Sequence, residues 1–135
     1  MAIRIVRLGT PRAKNEGPRI GTVRRPPRGV PKTEFARENW YDVWYPNLAP
    51  SVETLKLWQQ NKDAKTWTLF ARRYRAEMAL HDASRSIDLL ATLSHHTNFS
   101  LGCYCPDESH CHRSLLRKLL EECGAAMIRT AGVLE

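Results

Sequence analysis

The order of hydrophobic and polar residues along the chain predicts short strands near both ends. β-Branched and basic residues alternate over residues 3–8, which is the spacing of a strand. A second strand candidate covers residues 98–105 and ends before Pro106, and shorter candidates lie at residues 19–25 and 126–130. All four predicted strands therefore fall outside the middle third of the chain.

Two short helices are predicted before the middle of the chain. Thr33 is expected to be the N-cap of a helix that reaches Trp40, and Ser51 the N-cap of one that runs to about residue 61. The aromatic segment between them, residues 41–50, is predicted to be an irregular connection.

Longer helices are predicted to follow. Thr66 is expected to cap a helix in which hydrophobic residues recur at spacings of three and four. This stripe marks one buried face, formed by Trp67, Phe70, Tyr74, Met78 and His81. A further helix is predicted over residues 84–95, with Ile87, Leu90 and Leu93 facing inward.

The last predicted helix covers residues 111–123 and ends at Gly124. At about 100° per residue its buried stripe contains Leu115, Leu116, Leu119, Leu120 and Cys123. His112 falls near the centre of that stripe, with Cys111 and Arg113 on its two flanks. The first turn is therefore expected to present a thiol, an imidazole and a guanidinium toward the sheet edge.

Strands separated by helices of this length predict an α/β fold: a single layered domain over residues 1–135, with a small, mainly parallel sheet flanked by helices. A chain of 135 residues can bury a core without disulfides. No apolar run approaches a membrane span, and the first residues lack a secretory signal. We therefore expect a cytoplasmic protein with reduced thiols and no membrane partner.

The formal charge of +7 is concentrated in one segment. Residues 10–32, rich in proline and glycine, hold seven Arg or Lys and one acid, Glu16, and so account for +6. Attraction for an anion is expected to begin in this segment, although a basic loop facing solvent has the same composition.

Candidate chemistry is concentrated where a strand is predicted to lead into the last helix. Three of the four cysteines lie between Cys103 and Cys111, and such folds bind ligands at the carboxyl edge of the sheet. A helix N-terminus binds anions and lowers a thiol's pKa. The catalytic candidates are Cys111, Cys105 and His112. Arg113 is a bidentate donor for phosphate or carboxylate, and Cys103 and Glu108 are further candidates for ligand binding.

Three interpretations of this cluster remain open. In the first interpretation, the cluster binds a small phosphate- or nucleotide-like anion and contains a reactive thiol. Asp107 and Glu108 then serve as acid or base, or only complement the helix dipole. Alternatively, small cysteines pack under a helix. The third interpretation is a zinc site, with no other cofactor expected, although the paired C-x2-C spacing is missing; its donors would come from Cys103, Cys105, His110, Cys111 and His112.

Nucleic acid is a weaker candidate partner. The pI of about 9.6 and the helical patch of Arg72, Arg73 and Arg75 favour it. However, no helix-turn-helix, zinc-finger or RNA-binding signature is present. The sequence gives no oligomeric state.

The chain resembles the YeaO-like family of bacterial proteins (domain of unknown function 488). The resemblance rests on residues 25–32, 40–50 and 68–78 and on the strand–loop–helix of residues 101–116. It implies a compact α/β domain and no established substrate. The family pattern also pairs the Pro-Arg-Gly segment with the Cys-His-Arg segment. This implies that Arg25, Arg28 and Lys32 approach Arg113 and form part of a phosphate-binding site.

Overall fold

Four parallel strands and four helices make up the part of the chain that the structure, a computed structural model, describes, residues 1–128. The strands are β1 Ile3–Arg7, β2 Arg19–Gly21, β3 Val43–Trp44 and β4 Phe99–Cys103. The helices are α1 Val52–Gln60, α2 Ala64–Met78, α3 His81–Leu93 and α4 His112–Glu122. The predicted α/β fold with a parallel sheet is confirmed.

The last strand along the chain lies inside the sheet. The strand order is β1-β4-β2-β3, so β4 pairs with β1 on one side and with β2 on the other. All five residues of β4 are buried, as expected for a strand covered on both faces. Because the strands are parallel, the residues that follow β1, β2 and β4 meet at one carboxyl edge.

Two hydrophobic clusters lie on the sheet. The larger one joins α2, α3 and α4 to the strands, and its fully buried members include Tyr74, Leu101 and Leu116. The smaller one lies at the carboxyl edge and contains Leu8, Val23, Tyr41, Cys103 and Cys111. No helix among residues 1–128 is long and apolar enough to cross a membrane.

The basic segment is fixed to the sheet by a buried ion pair. Arg19 is 0% exposed, and its guanidinium donates to both carboxylate oxygens of Glu16, at 2.8 and 3.0 Å. Further donors reach the carbonyls of Thr10 and Asn39. Burial raises the pKa of Glu16, but hydrogen bonds from Arg19 and Ser100 outweigh it and lower that pKa to about 2.

Several predicted boundaries are wrong in the first half of the chain. The helix expected over residues 33–40 is only a 3-10 turn at Lys32–Glu34, because the following turns have mixed spacing and Asn39 has a positive φ of 63°. A short strand, β3, forms within the segment predicted to be irregular. The strand predicted at residues 19–25 ends at Gly21.

Helix boundaries also differ in the second half. Asp63, not Thr66, caps α2 by accepting from the backbone N–H of Thr66 at 2.8 Å. His81 is exposed and begins α3, because Leu80 is extended and breaks the helix. Leu93, predicted to face inward, is 38% exposed.

The chain after α4 departs from the prediction in two places. Cys123, predicted in the buried stripe, is exposed because α4 ends at Glu122 and Gly124 turns the chain with φ of 84°. The strand predicted over residues 126–130 is an isolated parallel bridge between Met127 and Ile3. Its residues 129 and 130 lie outside the described residues.

Candidate functional site

The candidate site forms where β4 leads into α4. Cys103 is the last residue of β4, Cys111 is the N-cap of α4, and His112 and Arg113 open the helix. All four side chains are buried. The helical wheel thus correctly predicts a buried His112. Cys111 and Arg113, which the wheel places on the flanks of the buried stripe, are as deeply buried as His112.

The imidazole of His112 is oriented by the backbone after β2. Its Nε2 lies 2.7 Å from the carbonyl oxygen of Thr22, and because a carbonyl can only accept, Nε2 carries the hydrogen. The other nitrogen, Nδ1, then faces the sulfur of Cys111 at 3.7 Å. A base held by a third group beside a thiol is the arrangement that activates cysteine nucleophiles.

Arg113 lies beneath the thiol and is 3% exposed. Its Nε donates to the Cys111 sulfur at 3.4 Å, and its two terminal nitrogens donate to the carbonyls of Val6 and Cys105 at 2.7 and 2.5 Å. Within residues 1–128, no carboxylate is among the hydrogen-bond partners of Arg113. A buried cation requires a counter-ion, and Cys111 in its thiolate form is the group in contact that can supply one.

The three clustered thiols have different pKa values because they share hydrogen bonds. Hydrogen bonds from Cys103 and Cys105, with a contribution from His112, hold the pKa of Cys111 well below its ordinary value. Hydrogen bonding to Cys105 and Cys111, together with burial, raises the pKa of Cys103. The pKa of Cys105 is also raised, since its bond to Cys111 and its burial outweigh the bond from Cys103.

A cavity of about 990 Å³ opens above this cluster. Cys103, Cys105, Cys111 and His112 form part of its wall, and aromatic side chains add Trp40, Trp58, Phe70 and Tyr104. Five cations also line it: Arg7, Arg24, Arg25, Arg28 and Lys56. Among the described lining residues there is no Asp or Glu, so the cavity has a positive potential.

The cations of the cavity differ in how far they are engaged. Arg24 donates to the carbonyls of Pro46, Ala49 and Pro50. The exposed side chains of Arg25, Arg28 and Lys56 have no hydrogen-bond or ion-pair partner within residues 1–128. Within residues 1–128 these three side chains are therefore the least engaged of the five.

The structure brings some predicted site residues to the cavity and leaves others elsewhere. Arg25 and Arg28 line it together with Cys111, whereas Arg113 and Lys32 are not among its lining residues. Glu108 lies in a 3-10 turn and pairs with Arg117 at 3.6 Å. That any of these residues binds a ligand stays a prediction.

Sequence reasoning missed Thr22, which orients His112, and the contribution of Arg7 and Lys56 to the cavity. One signal was available for two of these residues. Arg7 ends β1 and Thr22 follows β2, and the ends of parallel strands meet at the edge where ligands bind. Lys56 lies on α1, and no pattern in the sequence brings that helix to the edge.

The fold and the site define a parallel α/β protein with a Cys-His-Arg cluster at the carboxyl edge of its sheet. Residues 3–124 match the family model described as the Active DUF488-N3 subclade. The chain belongs to this family, which confirms the resemblance to the YeaO-like domain of unknown function 488. No curated protein and no solved structure matches the chain.

Proposed function

We propose that the protein binds a small anionic ligand, phosphate- or nucleotide-like, in the cavity above Cys111, and that Cys111 is a reactive thiol toward that ligand. One observation carries the proposal: five cations and no described carboxylate line a cavity that has Cys111 in its wall. Phosphate groups are bound by such converging guanidinium and ammonium groups.

The aromatic lining supports a ligand with a planar part. Trp40, Trp58 and Tyr104 line the same cavity as Arg25 and Arg28. Aromatic side chains stack on bases, and arginine pairs with phosphate, so a mononucleotide matches both features of the wall. The concave shape favours a small ligand over a duplex, which would need an exposed basic surface.

The contacts of Cys111 support a thiolate. Arg113 donates to its sulfur, and the imidazole of His112 faces it from another side. The thiolate is the nucleophilic form of cysteine. The subclade to which the chain belongs is described as active, which supports a working site.

The proposal is tested with two alkylating reagents of similar size, anionic iodoacetate and neutral iodoacetamide. Metal-free native protein is labelled at neutral pH, and rates at each cysteine are read by peptide mass spectrometry. Exposed Cys123 is the internal reference. We expect the iodoacetate-to-iodoacetamide rate ratio to be about tenfold higher at Cys111 than at Cys123, and to fall with added salt.

Matched variants locate the source of that preference. The double substitution Arg25→Gln and Arg28→Gln should lower the ratio at Cys111, whereas Arg72→Gln and Arg73→Gln, on the exposed face of α2, should not. Equal ratios at the two cysteines would refute the anion site. If neither reagent labels Cys111 until the protein is unfolded, the thiol is a packing residue only.

A further inference from the structure

Three buried donors at the site converge on one point. The sulfurs of Cys103 and Cys111 and a ring nitrogen of His112 all lie within 4.8 Å of one another. Thiolate and imidazole are the donors that zinc prefers. The sulfur of Cys111 and Nδ1 of His112 are 3.7 Å apart, which matches the ligand–ligand edge of roughly 3.5–3.8 Å in tetrahedral zinc. The end of β4 and the start of α4 hold these donors in place.

Cys105 provides a fourth donor. It lies two residues after Cys103, and its thiol interacts with those of Cys103 and Cys111, although its sulfur is outside the group of three donor atoms that lie within 4.8 Å of one another. It also lines the same cavity. The cluster therefore offers three sulfurs and one nitrogen, which is a common donor set of four-coordinate zinc.

The groups around the donors have the orientation that a metal site requires. His112 directs its Nε2 hydrogen to the carbonyl of Thr22, which leaves the lone pair of Nδ1 on the side of Cys111. A metal-binding histidine usually donates its second nitrogen to a carbonyl in this way. Arg113 donates to the Cys111 sulfur and so stabilises a ligand thiolate there.

We propose that Cys103, Cys105, Cys111 and His112 bind one Zn²⁺ ion, and that the bound ion blocks the thiol of Cys111. On binding, each thiol that is still protonated releases its proton to solvent. Zn²⁺ with three thiolates has a net charge of −1, which the buried guanidinium of Arg113 neutralises. The blocking effect rests on the proposed function, whereas the binding of zinc does not.

The binding test uses the full chain, reduced and freed of metal, titrated with Co²⁺ and then with Zn²⁺ against a chromogenic chelator. We expect one ion per chain, the visible bands of tetrahedral cobalt, and a near-ultraviolet thiolate-to-cobalt band with the intensity of three sulfurs. Zn²⁺ should displace the cobalt. An octahedral spectrum, or no binding in competition with the chelator, would overturn the proposal without any variant.

Variants assign the donors. Cys111→Ser should weaken zinc binding by about 100-fold or more, and Cys105→Ser should remove one sulfur from the cobalt spectrum. Cys123→Ser, at the exposed end of α4, is the matched control and should change neither. Circular dichroism confirms that each variant is folded. Unchanged zinc affinity in folded Cys111→Ser protein would show that the ion binds elsewhere.

Alkylation separates the two proposals. If zinc binds and slows iodoacetamide labelling of Cys111 in proportion to its occupancy, both hold. If zinc binds but Cys111 of the metal-free protein is unreactive, the proposed function fails and the zinc site stands. If Cys111 reacts in metal-free protein and zinc does not slow it, the blocking effect is wrong.

Discussion

Arg19 and Arg113 are both buried, but their guanidiniums contact different groups. Arg19 is held by the carboxylate of Glu16, with neighbouring carbonyls taking the remaining donors. Arg113 is equally buried, but its partners within the described residues are two carbonyls and the sulfur of Cys111. A buried charge without compensation is costly, so the comparison indicates that Cys111 takes at the second site the place that Glu16 has at the first.

The largest expected loss of stability comes from breaking the ion pair between Arg19 and Glu16. Glu16→Gln leaves the guanidinium of Arg19 without a counter-ion and should lower the free energy of unfolding by about 3–5 kcal/mol. Urea unfolding at neutral pH measures the change. Glu38→Gln, an exposed matched control, should be nearly neutral. A loss for Glu16→Gln no larger than that of the control would remove the basis of the comparison.

Acid should break the same pair reversibly. The pKa of Glu16 is about 2 in the folded chain and near 4.5 when unperturbed. Its contribution is therefore complete above about pH 4.5 and is lost as pH falls toward 2, which amounts to about 3 kcal/mol. Unfolding free energies measured across this range should show the loss. The difference between wild type and Glu16→Gln should shrink over the same interval.

Replacing the thiols tests the second pair. Cys111→Ser removes the proposed counter-ion of Arg113, whereas Cys103→Ser makes the same change at a buried cysteine to which Arg113 donates no hydrogen bond. In metal-free protein we expect Cys111→Ser to cost about 2 kcal/mol more unfolding free energy than Cys103→Ser. Equal losses in denaturant titrations would show that Arg113 does not depend on a Cys111 thiolate.

The sequence predicted the strand–loop–helix of the site because that segment follows two clear periodic patterns. Leu115, Leu116 and Leu120 set the inner face of α4, and His112 follows from their spacing. The partners of Arg113 could not be predicted from the sequence. One of them, the carbonyl of Val6, is 107 residues away in sequence and reaches Arg113 only because β1 pairs with β4. Such a contact depends on which strands are neighbours in the sheet, and the pattern within one strand does not identify its neighbour.

Local signals also failed where tertiary contacts decide the backbone. Thr33 resembles a cap, yet the chain after it makes irregular turns and Trp40 then packs edge-on against Tyr104. Cys123 has the spacing of a buried residue, but the helix stops just before it. Helix propensity is a weak predictor at such ends, because packing of the neighbouring segments outweighs it.

The position of β4 inside the sheet has a consequence for synthesis of the chain on the ribosome. β1 and β2 emerge early, but they do not pair with each other, and β4 must enter between them after about 95 residues have been made. Pairing over such sequence separations makes folding slow, since loop closure is costly before contacts reward it. Nascent chains should therefore expose β1, β2 and the unpaired thiols to chaperones and oxidants until α4 has left the exit tunnel.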